Sequence, residues 1–139
     1  MDDRGICGAT PPKSETVLAC SRVIAAAATS KHDRALALTF RANAIQAGGD
    51  NVRAVNDYSE ALTLLPNYAP ALIGRGIAYR DANDLTHALA DFDQAVSVNP
   101  KDAKALYERG VTKRKKGDAA GGDADVAAAT AINPNIAKP

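Results

Sequence analysis

The chain has little aromatic content, 4% of 139 residues, and no tryptophan. That composition suits closely packed helices better than a core built on bulky rings. Histidine is scarce too: His32 falls in an inter-helix turn and His87 on the solvent side of a helix. Neither has cysteine or carboxylate neighbours at metal-ligand spacing, apart from Asp33 beside His32. No glycine-rich phosphate loop, no G-x-S-x-G and no H-E-x-x-H occurs. No catalysis, cofactor or metal is therefore expected. Charge of one sign is absent: 17 Lys and Arg against 16 Asp and Glu leave a net +1. Nothing global draws nucleic acid or an anionic membrane. No apolar run is long enough to span a bilayer. The start, Met1-Asp2-Asp3-Arg4, lacks the basic start and apolar core of a signal peptide. A chain whose leader had been removed would read the same.

What is present suits one folded domain: 46% hydrophobic residues, many of them alanine, with 24% charged. The two cysteines, Cys7 and Cys20, lie 13 positions apart. One reading is a disulfide tying an N-terminal arm to the first helix, which would contribute on the order of 3 kcal/mol. It would imply a periplasmic or secreted protein. The other is a pair of reduced thiols, with Cys20 packed as a small hydrophobe and the chain cytoplasmic.

The strongest signal is a repeat. DFDQAVSVNP (91–100) has counterparts 34 residues away on each side, DYSEALTLLP (57–66) and DVAAATAINP (125–134). At that period whole columns coincide. Arg41, Arg75 and Arg109 align, as do Asp50, Asp84 and Asp118, then Asp57, Asp91 and Asp125, then Pro66, Pro100 and Pro134. Each unit splits into two amphipathic patterns. Helices are predicted over 35–47 and 52–64, 69–81 and 85–98, 103–116 and 119–132. Breaks fall at Gly48-Gly49, Asn83-Asp84 and Gly117, and each unit ends before a proline. A further helix over 14–29 has Ser14 as N-cap and a stripe of Val17, Cys20, Ile24 and Ala27. Cys20, Ile24 and Ala27 lie 34 residues before Ala54, Tyr58 and Ala61, so this helix reads as the second half of a truncated unit. The segment 1–13, with Pro11-Pro12, reads as an irregular arm.

The fold class follows: all-α, a solenoid of seven helices in one domain, with units 35–68, 69–102 and 103–136 behind the N-terminal helix. Small residues at Gly76 and Gly110, and at Ala54, Ala88 and Gly122, permit close helix approach. Tyr58 and Phe92 fill the space between pairs. The Arg/Asp columns read as ion pairs between the two helices of a unit, since a pair repeated in every unit is architecture before it is a site.

Leu72, Gly76, Tyr79, Ala88, Phe92, Ala95 and Pro100 resemble the signature of the tetratricopeptide repeat. The first unit departs from it at Ala42 and Ile45, the third at Lys113 and Val126. The phrases GRGIAYRDANDLTHALADFDQAVSVNP and VLACSRVI also resemble small exported bacterial proteins of that family. The resemblance implies a non-catalytic interaction module that binds a peptide or partner helix in a concave groove lined by the first helix of each pair. Groove positions would be Leu36, Thr39, Asn43 and Gln46; Ile73, Ile77, Arg80 and Asp81; and Lys104, Tyr107, Val111, Arg114 and Lys115. Ile73, Ile77, Tyr107 and Val111 are apolar and outside the packing stripe. One form of the groove clamps the C-terminal carboxylate of chaperones. At its positions this chain offers Thr39, Asn43, Gly74, Lys104 and Glu108, of which Asn43 and Lys104 alone match, so no binding of that type is expected. The run Lys113-Arg114-Lys115-Lys116 reads as a helix end favoured by the dipole, or as a basic end to the groove that attracts an acidic peptide. Without interleaved aromatics, nucleic acid is not expected. The alternative is self-assembly, a homodimer formed through the alanine-rich last helix.

Overall fold

Each unit turns on two residues. The first sits in the left-handed backbone region: Gly49, Asn83 and Gly117 have φ of 91°, 64° and 98°. Glycine adopts that conformation without strain, and asparagine tolerates it better than most residues. The next residue is the aspartate of the recurring column. The carboxylates of Asp50, Asp84 and Asp118 accept from the backbone N–H groups of Arg53, His87 and Gly121. That column is therefore a row of N-caps, each satisfying a donor that the helix itself leaves orphaned.

The computed structural model describes residues 2–9 and 15–137. Among them are eight α-helices: α1 (Asp3–Cys7), α2 (Thr16–Ala25), α3 (Lys31–Ala47), α4 (Asn51–Leu64), α5 (Ala69–Asp81), α6 (Leu85–Val98), α7 (Ala103–Lys115) and α8 (Ala119–Ile132). The pairs α3/α4, α5/α6 and α7/α8 are the three units. They stack so that α3 touches α5 and α5 touches α7 along one face. One apolar core runs through all three, from Ala35 to Ala105, with Tyr58, Phe92, Leu38 and Leu72 at its centre.

The N-terminal third differs from its sequence reading in three ways. There are eight helices rather than seven, because the expected arm contains α1, capped by the Asp2 side chain on the Gly5 N–H. The proposed cap Ser14 and the Pro11-Pro12 pair lie outside the described residues. Helix α3 begins at Lys31, capped by Ser30, so His32 sits in a helical first turn and not in a connection. Third, α2 is one turn out of step. Its buried residues are Thr16, Ala19, Cys20 and Val23, whereas Ala27 is exposed. These match Ala54, Asp57, Tyr58 and Ala61 of α4, a shift of four residues from the 34-residue period. A hydrogen bond records the same slip. Arg75 reaches back 16 residues to Ser59 on the preceding second helix, while Arg41 reaches back 20 to Ser21. The extra turn at the start of α3 takes up the difference.

In this register Cys20 stands where the later units have Tyr58 and Phe92. It is bonded to Cys7 of α1. Helix α1 touches α2 and α3 as α3 touches α4 and α5. The N-terminal pair is thus a unit whose first helix has five residues, held by the disulfide and by packing of Ile6 and Cys7 against α2 and α3.

The Arg/Asp columns are the ion pairs expected. Arg41, Arg75 and Arg109 each donate two parallel hydrogen bonds to Asp57, Asp91 and Asp125 at 2.7–2.9 Å. The third guanidinium arm crosses to the preceding second helix, at Ser21, Ser59 and Asp93. Each arginine therefore joins the two helices of its own unit and the unit before. Bidentate geometry of this kind fixes orientation as well as separation.

Asp125 accepts from a second cation, Lys113, at 2.9 Å. Burial raises its pKa, but the bonds from Arg109 and Lys113 outweigh this and hold it below the usual carboxylate range. A carboxylate with a depressed folded-state pKa contributes stability above its unfolded pKa, about 3.9. That contribution is lost as the pH falls through the folded value. The stability difference between wild type and Asp125→Asn should therefore be constant near neutrality and shrink below about pH 4. Urea unfolding at pH 7, 4 and 3 measures it, and a pH-independent difference would contradict the assignment.

Candidate functional site

The inner face of the stack carries a cleft of 360 Å³. Its floor is α5, where Ile73 and Ile77 lie one turn apart. Asn43 and Gln46 project from α3 on one side, and Lys104 from α7 on the other. These five are groove positions named from the sequence, and the fold brings them to one place. Ile73 is not spare, however. It is 6% exposed and belongs to the core, so Ile77 is the apolar residue more available to a ligand.

The other named positions do not line this cleft. Arg80 is bonded to Glu108 at 2.5 Å, both side chains being 14% exposed, and bridges α5 to α7. Thr39 is buried and donates to the Ala35 carbonyl. Tyr107 and Val111 are half-buried on α7, and Asp81 is exposed at the end of α5. Arg114 is directed away: its guanidinium meets Asp123 of α8 at 2.7 Å. The rest of the basic run divides similarly. Lys113 pairs with Asp125, and Lys116 donates to the Thr86 hydroxyl at 3.3 Å. Lys115 is exposed at the helix end. The run is mostly a set of ties to α6 and α8, not a basic end to the groove.

Five further residues line it: Tyr58, Ala69, Pro70, Gly74 and Asp102. Of these, Gly74 alone was named from the sequence at a groove position, as part of the clamp pattern. The Tyr58 hydroxyl lies 2.5 Å from Asn43 Oδ1, to which it donates, and 2.9 Å from Gln46 Oε1. Burial, with the Asp57 charge adding to it, pushes this phenol above its ordinary range. It therefore stays a neutral donor that orients the Asn43 amide, with the Gln46 amide oxygen beside it. Asp102 is engaged as the N-cap of α7. Lys104 is exposed and supplies a positive charge at the rim. Among the described residues no group of three or more His, Cys, Asp and Glu side chains gathers as a metal site requires. No helix there is long and apolar enough to cross a membrane.

No protein-family model matches the chain, and no curated protein sequence matches it. Solved structures do. The second TPR domain of Spaghetti (RPAP3), bound to the HSP90 peptide SRMEEVD, is similar with a TM-score of 0.71 at 20% identity, over 73% of this chain and 94% of that one. The Arabidopsis OM64 TPR domain gives 0.74 at 24% identity, over 76% and 88%. A crystal structure of MamA gives 0.74 at 17% identity, over 90% and 71%. The chain has the tetratricopeptide-repeat fold.

Within this TPR fold, the cleft differs from a carboxylate clamp for steric and electrostatic reasons. Gly74 stands where the clamp needs asparagine. A Cβ there would lie 2.5 Å from the Tyr58 ring, so no side chain fits while Tyr58 holds its place. Glu108 stands where the clamp needs arginine, and Arg80 fixes it there. Thr39 stands where it needs lysine, and it is buried. Of the five TPR clamp positions, Asn43 and Lys104 alone carry the required groups.

Proposed function

We propose that the chain is a non-catalytic interaction module that holds a short extended peptide in the cleft between α3, α5 and α7. One observation carries this reading: two amides, an apolar floor and an exposed lysine converge in a cavity of ligand size. Asn43 and Gln46 can pair with a peptide main chain, Ile77 can take an apolar side chain, and Lys104 favours a neighbouring acidic group. The peptide held by the RPAP3 domain supports such a use at the level of fold alone. The missing clamp groups argue for an internal segment as ligand rather than a chaperone tail.

The test begins with peptides selected from a random displayed library on the wild-type chain. They should bind Ile77→Asp at least about tenfold more weakly by calorimetry, with unchanged helicity, since one buried apolar side chain contributes about 1.5–3 kcal/mol. Equal affinity for the variant would remove the cleft from the account.

The Cys7–Cys20 bond supports an oxidising compartment, the periplasm or the exterior, over the cytoplasm. Thiol trapping with N-ethylmaleimide in intact source cells should leave both cysteines unmodified. Alkylation of both would contradict that location.

A further inference from the structure

A second cavity, of 140 Å³, opens beside the cleft between α1 and α3. Its walls are Cys7, Val23, Leu36, Ala37 and Phe40, and an ion pair at 3.8 Å, Arg4 with Asp33, stands at its rim. The walls are apolar side chains, and the one sulfur among them is held in the disulfide. Helix α1 has five residues where α5 and α7 have thirteen. Leu36 of α3 is half-buried and lines the cavity.

We infer that this cavity is a second subsite, which takes one leucine- or phenylalanine-sized side chain of the peptide held in the cleft. The inference rests on the cleft reading above. Three observations carry it. Leu36 and Asn43 are seven residues apart on α3, two turns, so they share a face and lie about 10 Å apart along the axis. The two cavities are therefore neighbours on one surface, within reach of a single ligand. Next, the volume fits: an apolar cavity of about 150 Å³ accommodates benzene. Last, the ring wall belongs to this unit alone. The counterparts of Phe40 one and two units on are Gly74 and Glu108, so the later units do not repeat the site. An extended strand rises about 3.3 Å per residue. The anchor side chain is thus about three residues from the segment lying over Asn43. The ligand class is an extended peptide with a bulky apolar residue at that spacing.

The test uses a library-selected peptide on wild type, Ile77→Asp and Leu36→Arg. Loss of binding by Ile77→Asp, together with an about ten- to hundredfold loss by Leu36→Arg, supports the subsite. The Leu36→Arg loss should vanish when the apolar anchor of the peptide is changed to alanine. Loss by Ile77→Asp with none by Leu36→Arg overturns the inference and leaves the cleft reading intact. Equal binding by wild type and Ile77→Asp removes the cleft reading and the subsite with it. Methyl NMR of the wild-type chain titrated with N-acetylphenylalanine amide gives a check that needs no variant. Saturable shifts at Val23, Leu36 and Ala37 support the cavity as a side-chain site, and their absence overturns it.

Discussion

Phe92→Ala lowers the stability of the chain by about 3–5 kcal/mol, the range for deleting a buried aromatic ring. Phe92 is fully buried on α6, and its ring lies against the α5 backbone at Gly76. A Cβ on Gly76 would come within 2.6 Å of that ring, so ring and glycine form one fitted contact. The cavity left by alanine cannot close by helix movement, because Arg75 holds α5, α6 and α4 at fixed separation. Domains of this kind have about 5–15 kcal/mol in total, so the variant is marginal. The fitted contact also predicts coupling. Gly76→Ala alone should be destabilising through overpacking, despite alanine's better helix propensity. Combined with Phe92→Leu it should cost less than the two single changes added together. Urea unfolding of the four proteins measures this, and strict additivity would contradict the contact.

Arg75→Ala has the second large effect, about 3 kcal/mol or more. Asp91 is 5% exposed and receives both of its bonds from this arginine. Removing the guanidinium leaves a buried carboxylate without its counter-charge, and the Ser59 tie to the preceding unit is lost as well. Burying two charges carries its own desolvation cost, so the pair as a whole contributes far less than either single deletion removes. The double change Arg75→Met with Asp91→Leu should therefore recover most of the loss. A double variant as unstable as Arg75→Ala would show that the pair stabilises the stack directly.

Much of the fold was legible because the chain states it three times. The period located the six repeat helices to within one or two residues at most ends, and the Arg/Asp columns were readable as pairs before any geometry was known. Helix α1 was not legible, because residues 3–7 have no counterpart at the period and Pro11-Pro12 suggested an arm. The one-turn slip of α2 was hidden too. It arises from the extra turn at the start of α3, upstream of the first aligned column.

The cleft was half legible. A column identifies which positions face inward, but not which neighbour covers each of them. Arg80 and Arg114 are inward or basic by register, yet Glu108 and Asp123 take them. Gly74 was legible only as a clamp position without its asparagine, because its column holds Phe40 and Glu108, with nothing shared. Its role appears only once the Tyr58 ring is seen against it.

The most direct test of the account is an amide chemical-shift map of the chain bound to a library-selected peptide. The account predicts that the largest shifts fall on the inner face of α3, α5 and α7, at Asn43, Ile77 and Lys104, with none around Val52 on α4. Shifts centred on Val52, or on α8 with the inner face unmoved, would contradict it.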